Sequence, residues 1–393
     1  MPNGIKGPFP STQKWIHRGS GTFEAALNRL PSIESSGGTV APHDYDGDGD
    51  VDLFVGGRVR PLKYPLSPRS YLLENTGGRF QDVTAEAGDA LRRPGMVTDA
   101  HWADLTGDGA GELVMAGEWM PIRVFQREGN GAFTERTGDL GLDRSNGWWN
   151  RLRLVDLDGD GNLNLVAGNW GTNAQIRARQ DEPAFLYAAD FDDDGDIEPI
   201  MSHHIDGTEY PIPRRNRMMD ALSLFRARFQ TYESYAEATM EEVLLKRQWE
   251  KAQHFRAYTF TTSVFEQKDD GTFTRHDLPI EAQFSPTRGI LVHDVNEDGR
   301  PDLLLAGNDF TVRQPWGPSD AGKGMLLLNR GDLEFEAQRP HQSGFFAPGD
   351  VRDLLLVPSP ETSRVVVGNN DGPLDLFEIS RSSTEVGPRA LSR

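Results

Sequence analysis

Cysteine is absent from the 393 residues, so the chain can build no disulfide, no thiolate metal site and no cysteine nucleophile. Long apolar runs are missing too. None approaches the roughly 20 residues that span a bilayer, so no direct membrane insertion is expected. The opening stretch MPNGIKGPFPSTQK lacks the apolar core of a secretory leader. Either an export signal lies outside these residues, which then form one part of a longer protein or assembly, or the protein is not exported. Basic residues are in deficit, 41 Lys and Arg against 60 Asp and Glu, for a formal net charge of −19. Phosphate backbones are held by clustered cations, so nucleic acid is not an expected partner and metal cations are the natural counterpart. The sequence has no G-x-S-x-G elbow, no H-E-x-x-H helix and no glycine-rich phosphate loop.

Glycine is plentiful, at 42 residues with 25 prolines, and apolar residues come in short runs bounded by Asp-Gly and Gly-Gly. That pattern predicts many short strands joined by tight turns, an all-β chain. Self-similarity sharpens the prediction. Five segments align: DYDGDGDVD from Asp44, DLTGDGAGE from Asp104, DLDGDGNLN from Asp156, DFDDDGDIE from Asp190 and DVNEDGRPD from Asp294, each followed by an apolar run. A second element, a strand, a glycine turn and a Phe-centred strand, recurs from Tyr71, Val124, Val264 and Leu326, and again around Trp15. One unit is thus four strands, and its repetition predicts a β-propeller of four-stranded blades occupying 1–393 as one domain. Six first strands can be proposed, the last in VRDLLLVP without an acidic loop, and the hairpin at 15–25 is expected to pair with the final strands as a clasp. Asp156 and Asp190 are too close for a whole blade between them, so the Asp190 loop is expected to join its strands differently. Residues 214–255 show helical spacing and read as a helical insertion in one blade. Its arginines, Arg214, Arg215, Arg217, Arg226 and Arg228, either salt-bridge the acidic rim or form a docking surface. A disordered tail is expected at 381–393.

The acidic loops have the chemistry of calcium sites. Calcium takes six to eight oxygen ligands in flexible geometry, and a loop with alternate inward side chains around a glycine can deliver them. The candidate ligands are Asp44, Asp46, Asp48, Asp50 and Asp52; Asp104, Thr106, Asp108 and Glu112; Asp156, Asp158, Asp160, Asn162 and Asn164; Asp190, Asp192, Asp194, Asp196 and Glu198; and Asp294, Asn296, Asp298, Arg300 and Asp302. The seventh residue of each loop would contribute its carbonyl. An EF-hand needs a glutamate at position twelve, where these loops carry Val55, Met115, Ala167, Met201 and Leu305, so that motif is excluded. The Asp44 and Asp190 loops offer the most carboxylates, and the Asp104 loop is expected to be weakest.

At these loops the chain resembles the FG-GAP/VCBS repeats of integrin α-subunit propellers and their bacterial relatives. More narrowly, DLFVGGRV, GEWMPIRVF, GWWNRL, the stretch 231–238, SGFFAPGDVRDLLL and NNDGPLDLF look like the propeller region of the cartilage acidic protein and ASPIC/UnbV group. The resemblance covers nearly the whole chain and implies calcium between the first two strands of a blade, seven blades and an extracellular or cell-surface setting. It breaks down where the last blade lacks its loop.

The expected function is non-catalytic recognition, adhesion or scaffolding, with a protein or glycan ligand. Strands are antiparallel, so the residues after strand two should gather at the rim opposite the acidic loops. They include Arg58, Glu118, Trp119, Asn169, Trp170, Asn308, Asp309, Asn369 and Asn370. Polar groups beside aromatic platforms suit such a ligand, although Trp148 and Trp149 can equally cover gaps between blades. The alternative is a propeller enzyme, a hydrolase or lyase with its site in the central funnel. His43, His101, His203, His204 and His293 are its stray candidates, each read first as structural.

Overall fold

Period-two burial builds the molecule. In the strand Glu112–Met120, Leu113 and Met115 pack towards Phe54 and Leu72, while Val114 and Ala116 pack towards Leu152 and Leu165 on the other side. In Asp302–Ala306, Leu303 and Leu305 face Val166 and Val264, whereas Leu304 and Ala306 face Phe345 and Val365. A strand apolar on both faces must lie between two other sheets. The computed structural model describes residues 15–17, 20–25, 29–33, 35–222, 225–311, 317–360, 362–379 and 391–392.

The described residues form six larger antiparallel sheets and one two-stranded hairpin. The first sheet comprises Ser36–His43, Asp52–Val59, Tyr71–Thr76 and Arg79–Asp82. The second comprises Met96–Ala103, Glu112–Met120, Arg123–Arg127 and Phe133–Glu135, with Gly147–Trp148 added beside the end of its second strand. Arg151–Val155, Asn164–Gly168, Ser263–Gln267 and Phe273–Asp277 make the third. Gly289–His293, Asp302–Ala306, Met325–Asn329 and Phe335–Gln338 make the fourth. Val351–Val357, Ser363–Asn369, Asp375–Ile379 and Leu391–Ser392 make the fifth. The leading strands of these five sheets touch in sequence, first to second, second to third, third to fourth and fourth to fifth, around a common axis. The arrangement is propeller-like.

The sixth sheet is nested. Ala184–Ala189, Glu198–Ile205, Thr208–Pro211 and Gln253–Ala257 all lie between the second and third strands of the third sheet. Its strands alternate like the others. Ala184 and Leu186 pack on Trp119 and Phe260, while Tyr187 and Ala189 face Met218, Phe225, Tyr235 and Met240. Those last residues belong to the first four of five short helices, Arg215–Ala221, Phe225–Arg228, Tyr232–Ala236, Met240–Val243 and Lys246–Lys251, that cover the sheet's outer face. Thr231 and Thr239 start two of them, each in a reciprocal capping box.

Three expectations change. The count of six first strands included the strand ending at Asp190, which here belongs to the nested sheet rather than to the axial series. The hairpin Trp15–His17 with Phe23–Ala25 pairs only within itself among the described residues. The fifth sheet is completed instead by Leu391–Ser392 on Glu378 and Ile379. Otherwise the tail expected at 381–393 lies outside the described residues.

Candidate metal loops and the axial funnel

Each acidic loop is a backbone solution before it is a ligand set. Position four takes a left-handed φ in all five, at Gly47, Gly107, Gly159, Asp193 and Glu297. The first aspartate ties the bend: Asp44 accepts from Gly47 and Gly49, and Asp156 from Gly159 and Gly161. The ninth residue lies behind the loop, buried in all but the Asp190 loop, where Glu198 is half-buried. Asp52 accepts the N–H groups of Tyr45 and Asn75, and Asp302 those of Val295 and Asn329. Glu112, Asn164 and Glu198 accept from Leu105, Leu157 and Phe191. In this structure the ninth position therefore staples the loop to its sheet.

Positions one, three and five converge. Carboxylate oxygens of Asp44, Asp46 and Asp48, of Asp156, Asp158 and Asp160, and of Asp190, Asp192 and Asp194 each lie within 4.8 Å of one another. In the second trio, Asp158 Oδ1 is buried with no hydrogen-bond partner. Burial, then the neighbouring Asp160, pushes the Asp158 carboxyl above its ordinary range. An unpartnered oxygen among like charges is the environment a hard cation relieves, so the residues fit calcium. The other two loops fit less well. Thr106 replaces a carboxylate in one and bonds Glu112 at 3.2 Å, and in the other the Arg300 guanidinium pairs with Asp298 at 2.5 Å.

The Asp190 loop stands apart from the rest. Lys63 lies between the second and third strands of the first sheet, at the end opposite the Asp44 loop, and its ammonium meets the Gly195 carbonyl. An eight-residue strand separates those ends by about 25 Å. The Asp190 loop therefore sits at the rim opposite the Asp44 loop. On its other side, Lys251 bonds the Asp190 carbonyl and pairs with Asp193 at 2.5 Å.

The residues after strand two do gather there, though most are interior. Asn169 and Asn308 are fully buried. Asn169 accepts from Trp148 and Trp170 and donates to the Thr259 carbonyl. Asn308 accepts from Ser285 and Gly322 and donates to Gly322, Pro348 and Gly349. Asn369 donates to Pro373 and Asp375. Asn169 and Asn308 are thus occupied in holding the rim's backbone together, whereas Asn369 is half-buried and keeps its Oδ1 without a partner. Trp119 is also buried. It holds a left-handed φ of 59° and donates its indole N–H to Tyr64. Trp149 is fully buried against Phe265, whereas Trp148 and Trp170 are half-buried and pack together, tilted, at 4.5 Å between ring centres. His203 Nδ1 is buried without a partner, and burial, then neighbouring His204, lowers the ring's pKa.

Along the axis runs a charged network that the motifs did not announce. Arg151 donates to the carbonyls of Arg288 and Arg352 and lies 3.8 Å from Asp99 and 3.3 Å from Asp353. Arg153 approaches the same two carboxylates at 3.6 Å each. Above this plug stand three more ion pairs: Arg58 with Glu118 at 2.5 Å, Arg288 with Asp309 at 2.6 Å and Arg352 with Asp350 at 2.7 Å. The signal in the sequence is an arginine entering the first strand, in Asn150-Arg151-Leu152, Thr287-Arg288-Gly289 and Val351-Arg352-Asp353. The arginines of the insertion lie elsewhere, and none forms a salt bridge to the rim among the described residues. Arg215 and Arg228 donate to backbone carbonyls at 229–230 and 242–243.

Residues 104–167, which run from one acidic loop to the strand after the next, match the FG-GAP-like repeat family. That stretch carries an FG-GAP-like repeat. Among curated proteins it is similar to cartilage acidic protein 1 of Mus musculus, 25% identical over 192 residues, covering 43% of this chain and 29% of that protein. The Xenopus tropicalis protein of the same name is 25% identical over 219 residues, covering 50% of this chain and 33% of the relative. The matches thus span about a third of those relatives' length. A solved thermostable family-43 glycoside hydrolase superposes over 90% of this chain and 92% of its own at a TM-score of 0.32 and 9% identity, which carries no inference about chemistry. No helix among the described residues is long and apolar enough to cross a membrane.

Proposed function

We propose that this FG-GAP-like protein is a calcium-stiffened, non-catalytic recognition module of the extracellular space or cell surface, binding a protein or glycan at the rim opposite the Asp44 loop. The observation that carries the calcium reading is the set of three carboxylate trios, one of which contains the buried, unpartnered Asp158 oxygen. Positions one, three and five would hold the ion, and its charge would relieve their mutual repulsion and rigidify the turn. The non-catalytic reading is supported by the funnel carboxylates. Glu118, Asp309 and Asp350 are each engaged by a guanidinium, so none stands free as the proton donor that hydrolysis or elimination needs.

Calcium removal tests the reading. A ligand present at ten times its dissociation constant stabilises by about 1.4 kcal/mol per site, and extracellular calcium modules bind at about 10⁻⁴ to 10⁻³ M. The melting temperature in EGTA is expected to fall by several degrees relative to millimolar Ca²⁺. An unchanged melting curve, with no metal by elemental analysis, would remove the calcium-module reading.

A further inference from the structure

The three ion pairs above the axial plug leave most of their hydrogen-bonding capacity unspent. A guanidinium has five N–H donors, yet Arg58, Arg288 and Arg352 each meet their acid through Nη2. Arg288 Nε is buried with no partner at all. The three side chains come from the first, fourth and fifth sheets, so the funnel mouth brings them together. Burial, then the charges of Arg352 and Arg58, lowers the pKa of Arg288 against the pull of Asp309 and Glu118, so its charge is under-compensated.

An aromatic surface adjoins this cluster. Glu118, the partner of Arg58, lies opposite Trp148 in the strand register, and Trp148 packs against Trp170 with the rings tilted by 33°. Trp170 lines a cavity of about 370 Å³ together with Arg177, Ser319 and Asp320. Ser319 in turn pairs through its backbone with Asp309, the partner of Arg288. Half-buried indole faces beside unspent guanidinium donors match a sugar ring that carries an acid group: the ring stacks and the acid takes the fork. We propose that the mouth of the axial funnel, at Arg58, Arg288 and Arg352 beside Trp148 and Trp170, binds an acidic saccharide through its carboxylate or sulfate. The proposal rests on reading this rim as the ligand-facing one. The Asp44 loop does not oppose it, because at about 25 Å it lies beyond the Debye length of roughly 8 Å at physiological salt, and the Asp190 loop on this rim is partly offset by Lys63 and Lys251.

The test titrates the calcium-saturated full chain with three probes: an oligogalacturonate, its carboxyl-reduced neutral counterpart and a sulfated oligosaccharide. The acidic probes are expected to bind at least roughly tenfold more tightly than the neutral one, the loss expected when a charge-assisted hydrogen bond is removed. Arg288→Gln and Arg352→Gln should each cost a similar factor with the calcium titration kept, and with a lower melting temperature because each leaves a buried carboxylate unpaired. Arg288→Lys, which keeps the charge but not the fork, separates lost recognition from lost folding and should restore little. Trp170→Ala should weaken all three probes. Which acidic probe binds better assigns the acid group. Equal binding of the neutral probe, still lost with Trp170→Ala, would overturn the acid assignment and leave the rim reading standing. Acidic binding untouched by any of these variants would overturn both, whereas failure of every saccharide where an acidic peptide binds would overturn the saccharide proposal and leave the rim reading standing.

Discussion

Asp158 and Thr106 occupy the same position in two consecutive loops and show how one side chain sets a site's worth. Asp158 adds a third carboxylate to its trio and keeps an oxygen without a partner, while Thr106 spends its hydroxyl on Glu112. Calcium affinity follows ligand charge and count. Asp46→Ala, Asp158→Ala and Asp192→Ala are each expected to abolish one calorimetric site, and Thr106→Ala to leave the calcium stoichiometry unchanged. Loss of a site on Thr106→Ala, or retention of full stoichiometry in all three aspartate variants, would reverse this ranking. The spacing of aspartates, threonine and glycine made these differences readable in advance. The weakening of the Asp294 loop was half legible: Arg300 was visible at position seven, but only the fold shows its guanidinium turned back onto Asp298.

The nested sheet marks the limit of reading elements from local pattern. Its loop has the same D-x-D-x-D-G spacing as the others, and its strands alternate like the rest. Whether a strand joins the axial series depends on contacts made far away in sequence, such as Ala167 with Ser263 across the whole insertion. The helices were legible because apolar residues such as Met218, Leu222, Phe225 and Phe229 recur at helical spacing. Their destination was not. Lys251 and Lys63 grip the Asp190 loop from two sides, so this loop is also a joint between the helices, the nested sheet and the first sheet. The ammonium of Lys251 lies beside the loop's aspartates and repels an incoming cation. Lys251→Gln is expected to tighten calcium a few-fold at this loop alone and to speed amide exchange across 246–251. Calcium titration with exchange mass spectrometry reads both, and unchanged affinity with unchanged exchange would mean that the lysine is only a surface contact.

At the scale of the molecule, Arg151 contacts the second, fourth and fifth sheets from the third and so ties the propeller-like series at its axis. Its partner Asp99 is nearly buried, and burial alone would raise its pKa. Nearby His101 and Arg151 and the N–H of Leu152 outweigh that and hold the carboxyl below the ordinary aspartate range. A depressed folded-state pKa contributes stability that is present above the unfolded value, about 3.9, and is lost as the pH falls through the folded one. Removing one member of a buried pair costs about 3–5 kcal/mol. Arg151→Met is therefore expected to destabilise by about 3 kcal/mol near neutral pH and by less as the pH falls through the depressed folded-state value of Asp99. Asp99→Asn should flatten the same acid limb, and the double variant should cost less than the sum of the two singles. Urea unfolding of the four proteins at neutral and acid pH measures this. Additive costs that do not change with pH would show that Arg151 acts through its backbone hydrogen bonds rather than through the charge of Asp99.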